Sequence, residues 1–292
     1  MTVVFALLAA LGNAVNVITQ HVASTSDPEG SKGWRLVVYL FKNPLWLFGW
    51  VALIGAFVFQ ALALHTGQLS VVQTLLITEL VFGLVLRRVW IRQDIGAGAW
   101  ASAALTAVAV AVFLTVAEPR GGHLTPTSGA WLSSILGCGL AVGAAALLSL
   151  RGSPARRAAL LAIASGIVWA LEATFIKSMT DTLASDGIVG SLERWPIYGV
   201  AVGGIVGTLL TQAAIHVGPL RASQPFLVIV DPVVSIFLSV HLFDEYFTGG
   251  VGDLAIGSTA FVLMCAGVVL LTRTVPEDVQ RPRAAAQPTS SG

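Results

Sequence analysis

Nine stretches of this chain, at about residues 2 to 22, 44 to 64, 69 to 87, 97 to 117, 131 to 149, 157 to 178, 195 to 215, 221 to 242 and 253 to 272, are apolar over nearly their whole length. Each is close to the roughly 20 residues that a helix needs to cross a bilayer. Only a helix or a closed barrel satisfies its backbone in lipid, so runs of this length predict an all-α membrane protein with nine transmembrane helices. Hydrophobic residues make up 55% of the chain and charged ones 11%, with a mean hydropathy of +0.83, which excludes a soluble domain of ordinary make-up. A net charge of +1 gives no reason to expect nucleic acid as a partner. Cys138 and Cys265 both fall inside apolar spans and suggest neither a disulfide framework nor a metal pair.

The first span is read as a retained helix, not a cleaved leader, because no Lys or Arg precedes Lys32 and the apolar run is too long. The run Leu36 to Phe41 is too short to cross. With Trp34 and Tyr39 beside it, residues 33 to 43 are expected to lie at the interface. The tail after Thr274 has little to bury and is expected to be disordered.

Assigning the segments between spans alternately to two sides puts Lys32, Arg35, Lys42, Arg87, Arg88, Arg92, Arg151, Arg156, Arg157, Arg221, Arg273, Arg281 and Arg283 together, and leaves Arg120, Lys177 and Arg194 on the other. Basic residues accumulate on the cytoplasmic side, so the N-terminus is expected outside and the C-terminus in the cytoplasm.

The chain repeats itself. His65, Gly67, Leu69, Gln73 and Leu76 match His216, Gly218, Leu220, Gln224 and Leu227 without a gap, at an offset of 151, and Gly98/Gly249, Ala104/Ala255 and Ala109/Ala260 keep it. Gly12 and Gly166 also correspond. The expected organisation is a four-helix repeat over residues 1–117, a connector with the fifth helix over 118–156, a second four-helix repeat over 157–273 and a cytoplasmic tail over 274–292. An odd helix between two even-numbered units inverts the second relative to the first. Secondary transporters are often built so, with their sites near the midplane.

The polar residues inside the spans are the candidate site. An ionised carboxylate in mid-bilayer is costly, so Glu79 in the third span and Asp231 in the eighth must face protein or a water-filled cavity. Gln224, Asp231 and Ser235 share a helical face. Pro225 and Pro232 remove two backbone donors, and the eighth span is expected to be bent or interrupted there. Gln73 is about 120 degrees from Glu79 on an ideal helix, so the two share one cavity only if it is wide or the helix irregular. Asn13, Asn16 and Gln20 make an amide-bearing face on the first span, suited to a polar solute or equally to interhelical hydrogen bonding. Ser165, Trp169 and Glu172 share a face of the sixth span, where Lys177 is expected near the outer end, snorkelling to the surface. His65 and His216 flank short connections and are read as making helix-end hydrogen bonds. The small-residue series Gly199, Gly203, Gly207 and Gly139, Gly143 are read as close helix contacts.

Trp169-Ala-Leu171 with Lys177, the segment His216 to Pro232 and the terminal Leu242-Phe-Asp-Glu245 resemble the EamA-type repeat of the drug/metabolite transporter superfamily. Pro44 to Trp50, Ala61 to His65 and Val85 to Arg88 resemble its actinobacterial members, and the nine-helix arrangement is similar to the NIPA-type magnesium transporters. Each unit here has four helices instead of five, and the first has Arg92-Gln-Asp94 where the second ends in Asp244-Glu245. The resemblance implies a multi-pass protein of a bacterial plasma membrane that moves a small solute or cation by alternating access. Neither an enzyme nor a cofactor is expected, since metal-protease, hydrolase-elbow, Walker and dinucleotide motifs are all missing. A homodimer and a non-transporting membrane scaffold remain open readings. A scaffold predicts a dry, glycine-packed centre; a transporter predicts polar and acidic residues converging between the repeats.

Overall fold

The computed structural model describes residues 1–25, 43–121 and 125–274. The interfacial segment expected over 33–43 and the tail after Thr274 fall outside them, apart from Asn43. The order is α1 (Thr2–Thr25), α2 (Pro44–Thr66), α3 (Leu69–Leu76), α4 (Glu79–Val89), α5 (Ala97–Ala117), β1 (Pro119–Gly121), α6 (Ser128–Leu148), α7 (Pro154–Leu192), α8 (Pro196–Val217), α9 (Leu220–Phe243), β2 (Glu245–Phe247) and α10 (Val251–Thr274). With α3 and α4 taken as one broken crossing, nine spans among the described residues are long and apolar enough to cross a membrane, as the sequence predicts.

The helix starts are written locally. Asn43 accepts from the Leu45 amide at 2.9 Å, Thr127 from Ala130 at 3.2 Å and Ser153 from Arg156 at 3.4 Å, with Pro44 and Pro154 in the first turn where a missing N–H costs nothing. Outward-facing leucines and isoleucines such as Leu140, Ile205, Leu209 and Leu263 stay exposed, as a lipid-facing surface requires.

Contacts between helix ends sort them into two faces. On one, Thr2 Oγ1 donates to the Thr66 carbonyl at 2.8 Å, His65 meets Asp181, and β1 pairs antiparallel with β2, Arg120 opposite Tyr246. On the other, Arg157 donates to the Ser149 carbonyl at 2.9 Å and Gly218 lies against Pro154. These are the first and second faces below. Helix α1 packs chiefly on α2 and the α3–α4 crossing, α7 on α8 and α9, and α5 on α10. The connector α6 is held to α7 by Trp131, whose ring lies 5.4 Å from Phe175 and 4.8 Å from Trp195.

Three expectations need correction. Helix α9 runs unbroken through Pro225 and Pro232. Proline's φ is itself compatible with a helix, so the chain continues past the two missing donors without an interruption. The interrupted crossing is the third, where the Thr78 amide bonds to the Leu75 carbonyl at 3.0 Å and Leu80 to Ile77 at 3.1 Å, a 3₁₀-type tightening without proline or glycine. Thr78 Oγ1 takes the Leu75 carbonyl as well, at 2.6 Å. Secondly, Lys177 does not snorkel: it is 5% exposed, because α7 continues past it to Leu192. Thirdly, the Gly139–Gly143 series makes no close contact among the described residues, nothing lying within 4 Å of where a side chain would be. Helix α6 is peripheral, and this stripe faces outward.

Candidate functional site

The duplicated turns between the second and third and between the seventh and eighth spans have the same backbone. Gly67 has φ −153° and ψ −179°, and Gly218 φ −154° and ψ −173°. Each glycine is pressed against the first residue of a helix bundle: a methyl on Gly67 would meet Thr2 Cγ2 at 2.2 Å, and one on Gly218 the Pro154 carbonyl at 2.3 Å. Close approach, not left-handed geometry, selects glycine at both.

Between the two halves lies a cavity of about 650 Å³. Asn13 and Asn16 of α1, Gln73 of α3, Glu79 of α4, Trp169 and Glu172 of α7, and Gln224 and Asp231 of α9 all line it. The break after Leu76 resolves the angular problem in the third span, since it lets Gln73 and Glu79 face the same space. Glu79 opens the second half-helix and lines the cavity together with Asn13. Ser235 is absent from the lining; its hydroxyl donates to Asp231 Oδ1 at 3.0 Å and fixes that carboxyl from behind. Gln73 is 2% exposed, and neither atom of its amide has a hydrogen-bond partner. A buried amide without partners is costly, and a cavity wall is where a solute can repay it.

Helix α8 positions the α7 residues. A methyl on Gly203 would meet Glu172 Cβ at 3.0 Å, and one on Gly207 Trp169 Cε2 at 2.9 Å, so the glycine series forms the groove in which these side chains lie. Thr211, one turn further, accepts from Trp169 Nε1 at 3.2 Å and bonds Ser165 Oγ at 2.7 Å. The indole is thereby locked with its ring on the cavity.

The sequence reading passed over Thr211, Gln60, Phe57 and Arg87, which also line the cavity. Thr211 continues the Gly199–Gly203–Gly207 stripe by one turn, and Gln60 is a lone amide in an apolar run; both were visible signals. Arg87 and Phe57 carry none. His216 bonds the Gln212 carbonyl at 2.8 Å, a helix-end contact as read, whereas His65 reaches across to Asp181 Oδ1 at 2.8 Å. Gln20 donates to Asn16 Oδ1 at 2.6 Å, so part of the α1 amide face is spent within its own helix.

On the side of the second face the lining reaches Arg87 and Thr272, close to the ends of α4 and α10, and on the side of the first it ends at Gln73, Gln60 and Ile176. The cavity therefore comes closer to the second face than to the first.

Fold and site together define a multi-pass helical membrane protein with an acid-lined central cavity. An uncharacterised protein of Corynebacterium glutamicum is 27% identical over 276 residues, covering 94% of this chain and 95% of the relative. No protein-family model and no solved structure matches the chain.

Proposed function

We propose that this protein is a secondary transporter of a small, positively charged solute, built on the plan of the drug/metabolite transporter superfamily. The observation that carries the reading is the convergence of Glu79, Glu172 and Asp231, from three helices in both halves of the chain, on one cavity beside Gln73 and Trp169. A scaffold needs a dry centre, and this centre is hollow. Carboxylates attract a cation, the indole face of Trp169 adds a cation–π surface, and the amides of Gln73, Asn13 and Asn16 offer donors and acceptors to the rest of the solute. No group of three His, Cys, Asp or Glu among the described residues is placed to hold a metal ion, which favours an organic cation over a magnesium ion stripped of water.

The matched turns at Gly67 and Gly218 support an inverted repeat, and the broken third span resembles the discontinuous helices at which transporters form midplane sites. With the arginine-rich second face in the cytoplasm, the termini are N-out and C-in and the cavity is inward-facing. A bacterial plasma membrane is the setting this reading implies. Purified protein in vesicles, challenged with labelled amines, quaternary ammonium ions, amino acids, a neutral polar solute and Mg²⁺ under an imposed proton gradient, tests it. Flux of a cation is expected; absence of flux and binding for the whole panel returns the protein to the scaffold class.

A further inference from the structure

At the first face, side chains of the second half of the chain hold a turn of the first. Glu245, 1% exposed in β2, accepts from the Leu69 amide at 2.6 Å through Oε1, and through Oε2 from the Ser70 amide at 3.2 Å and hydroxyl at 2.6 Å. Lys177 Nζ donates to the carbonyls of Leu64 at 3.0 Å and Gly67 at 2.7 Å, with the Phe243 ring 5.4 Å away. Asp181 takes His65. One turn, residues 64 to 70, thus has the end of α2 satisfied by a cation and the start of α3 by an anion. Orphan backbone groups at helix ends need such partners when buried, and both come from across the interface.

The residue 151 positions before Glu245 is Asp94, and Gly98 and Gly249 four residues later keep the same register. Asp94 makes no equivalent contact: its side chain is 99% exposed and pairs with Arg88 at 2.5 Å. One carboxylate of the pair is engaged and buried, the other lies in solvent, and the cavity extends toward the face of the disengaged one.

We infer that Glu245 is the latch that closes the first face, and that Asp94 is its counterpart, which engages the turn at residues 216 to 221 when the protein opens the other way. The inference rests on the transport reading above. Glu245 and Asp94 are then never engaged together. Each conformation trades one buried carboxylate–backbone cluster for the other, which keeps the two states close in energy and lets a bound solute choose between them.

The test uses full-length protein in oriented vesicles, with Cys138 and Cys265 replaced by alanine and a reporter cysteine at Ala173. This residue is 1% exposed, on the stripe of α7 that includes Trp169 and Ile176. A membrane-impermeant maleimide is applied from the first face. Glu245→Gln is expected to speed labelling at least about fivefold over the parent, and Asp94→Asn added to it to bring the rate back down. Ser70→Ala, which removes one of three bonds to the carboxylate, is expected to act in the same direction more weakly, and it decides the matter if Glu245→Gln does not fold. Unchanged labelling in Ser70→Ala and Glu245→Gln makes Glu245 a static cap and overturns the latch; a double variant that labels as fast as Glu245→Gln removes Asp94 from it. Solute flux in the same vesicles is scored separately. Labelling that switches without flux leaves the latch standing and removes the transport reading, and flux with unchanged labelling does the reverse.

Discussion

In the transport reading Glu79 and Asp231 have the most direct roles, because each places a carboxyl on the cavity wall, Asp231 with the Ser235 hydroxyl behind it. Glu79→Gln and Asp231→Asn keep the shape of the side chain and remove its charge. Both are expected to abolish or uncouple cation flux while leaving the protein folded, since neutralising a costly buried charge does not destabilise; unchanged flux in both variants would make the acids structural. Gln73 makes the complementary case. With no partner for its amide, Gln73→Leu is expected to lower solute affinity yet raise stability in detergent by about 1 kcal/mol or more, read from the thermal unfolding midpoint. These residues were legible in the sequence because a polar group in an apolar run is conspicuous. Glu245 and Lys177 were not, because their roles depend on partners more than a hundred positions away, and spacing along one helix says nothing about those.

The glycine stripe on α8 and the one on α6 read alike in the sequence and differ in the fold. Gly203 is in contact with Glu172, Gly143 with nothing. Gly203→Ala is therefore expected to cost about 1–3 kcal/mol of stability by overpacking and to reduce flux by displacing Glu172, whereas Gly143→Ala should leave both unchanged in the monomer. Equal effects at the two sites, measured by thermal melts and vesicle uptake, would refute the assignment. The spans themselves were readable from apolar length alone. The break between α3 and α4 was not, because a threonine hydroxyl and two short hydrogen bonds make it, without the proline or glycine that usually marks such a place. The two prolines of α9, which suggested an interruption, leave that helix continuous.

At the scale of the molecule, the two faces are defined by contacts, and their assignment to outside and cytoplasm rests on charge. Among the described residues Arg87, Arg88, Arg92, Arg151, Arg156, Arg157, Arg221 and Arg273 lie on or near the second face, against Arg120 and Arg194 on the first and Lys177 buried beneath it. Single cysteines at Thr125 and Thr274, in a chain without Cys138 and Cys265, are expected to be labelled from outside and from the cytoplasm respectively; labelling of both from one side would overturn the topology. The offset of 151 is legible in the sequence, but the different partners of its two turns are not. Identical turns at Gly67 and Gly218 meet different partners, and only the assembled molecule shows which of them is held.

Helix α7 is 39 residues long and stays helical up to Gly187, whose φ of 72° departs from the helix. At about 1.5 Å per residue its regular part is on the order of 50 Å long, well over the roughly 30 Å of a hydrocarbon core. Tilt is expected to absorb some of the difference, and the remainder to stand beyond the bilayer at the first face. Nothing lies within 4 Å of the place a side chain would take on Gly187. A peptide epitope inserted after Gly187 would therefore be displayed at the end of a long helix, away from the cavity, giving an antibody fragment a fiducial hold on a protein whose described residues otherwise offer imaging very little outside the membrane.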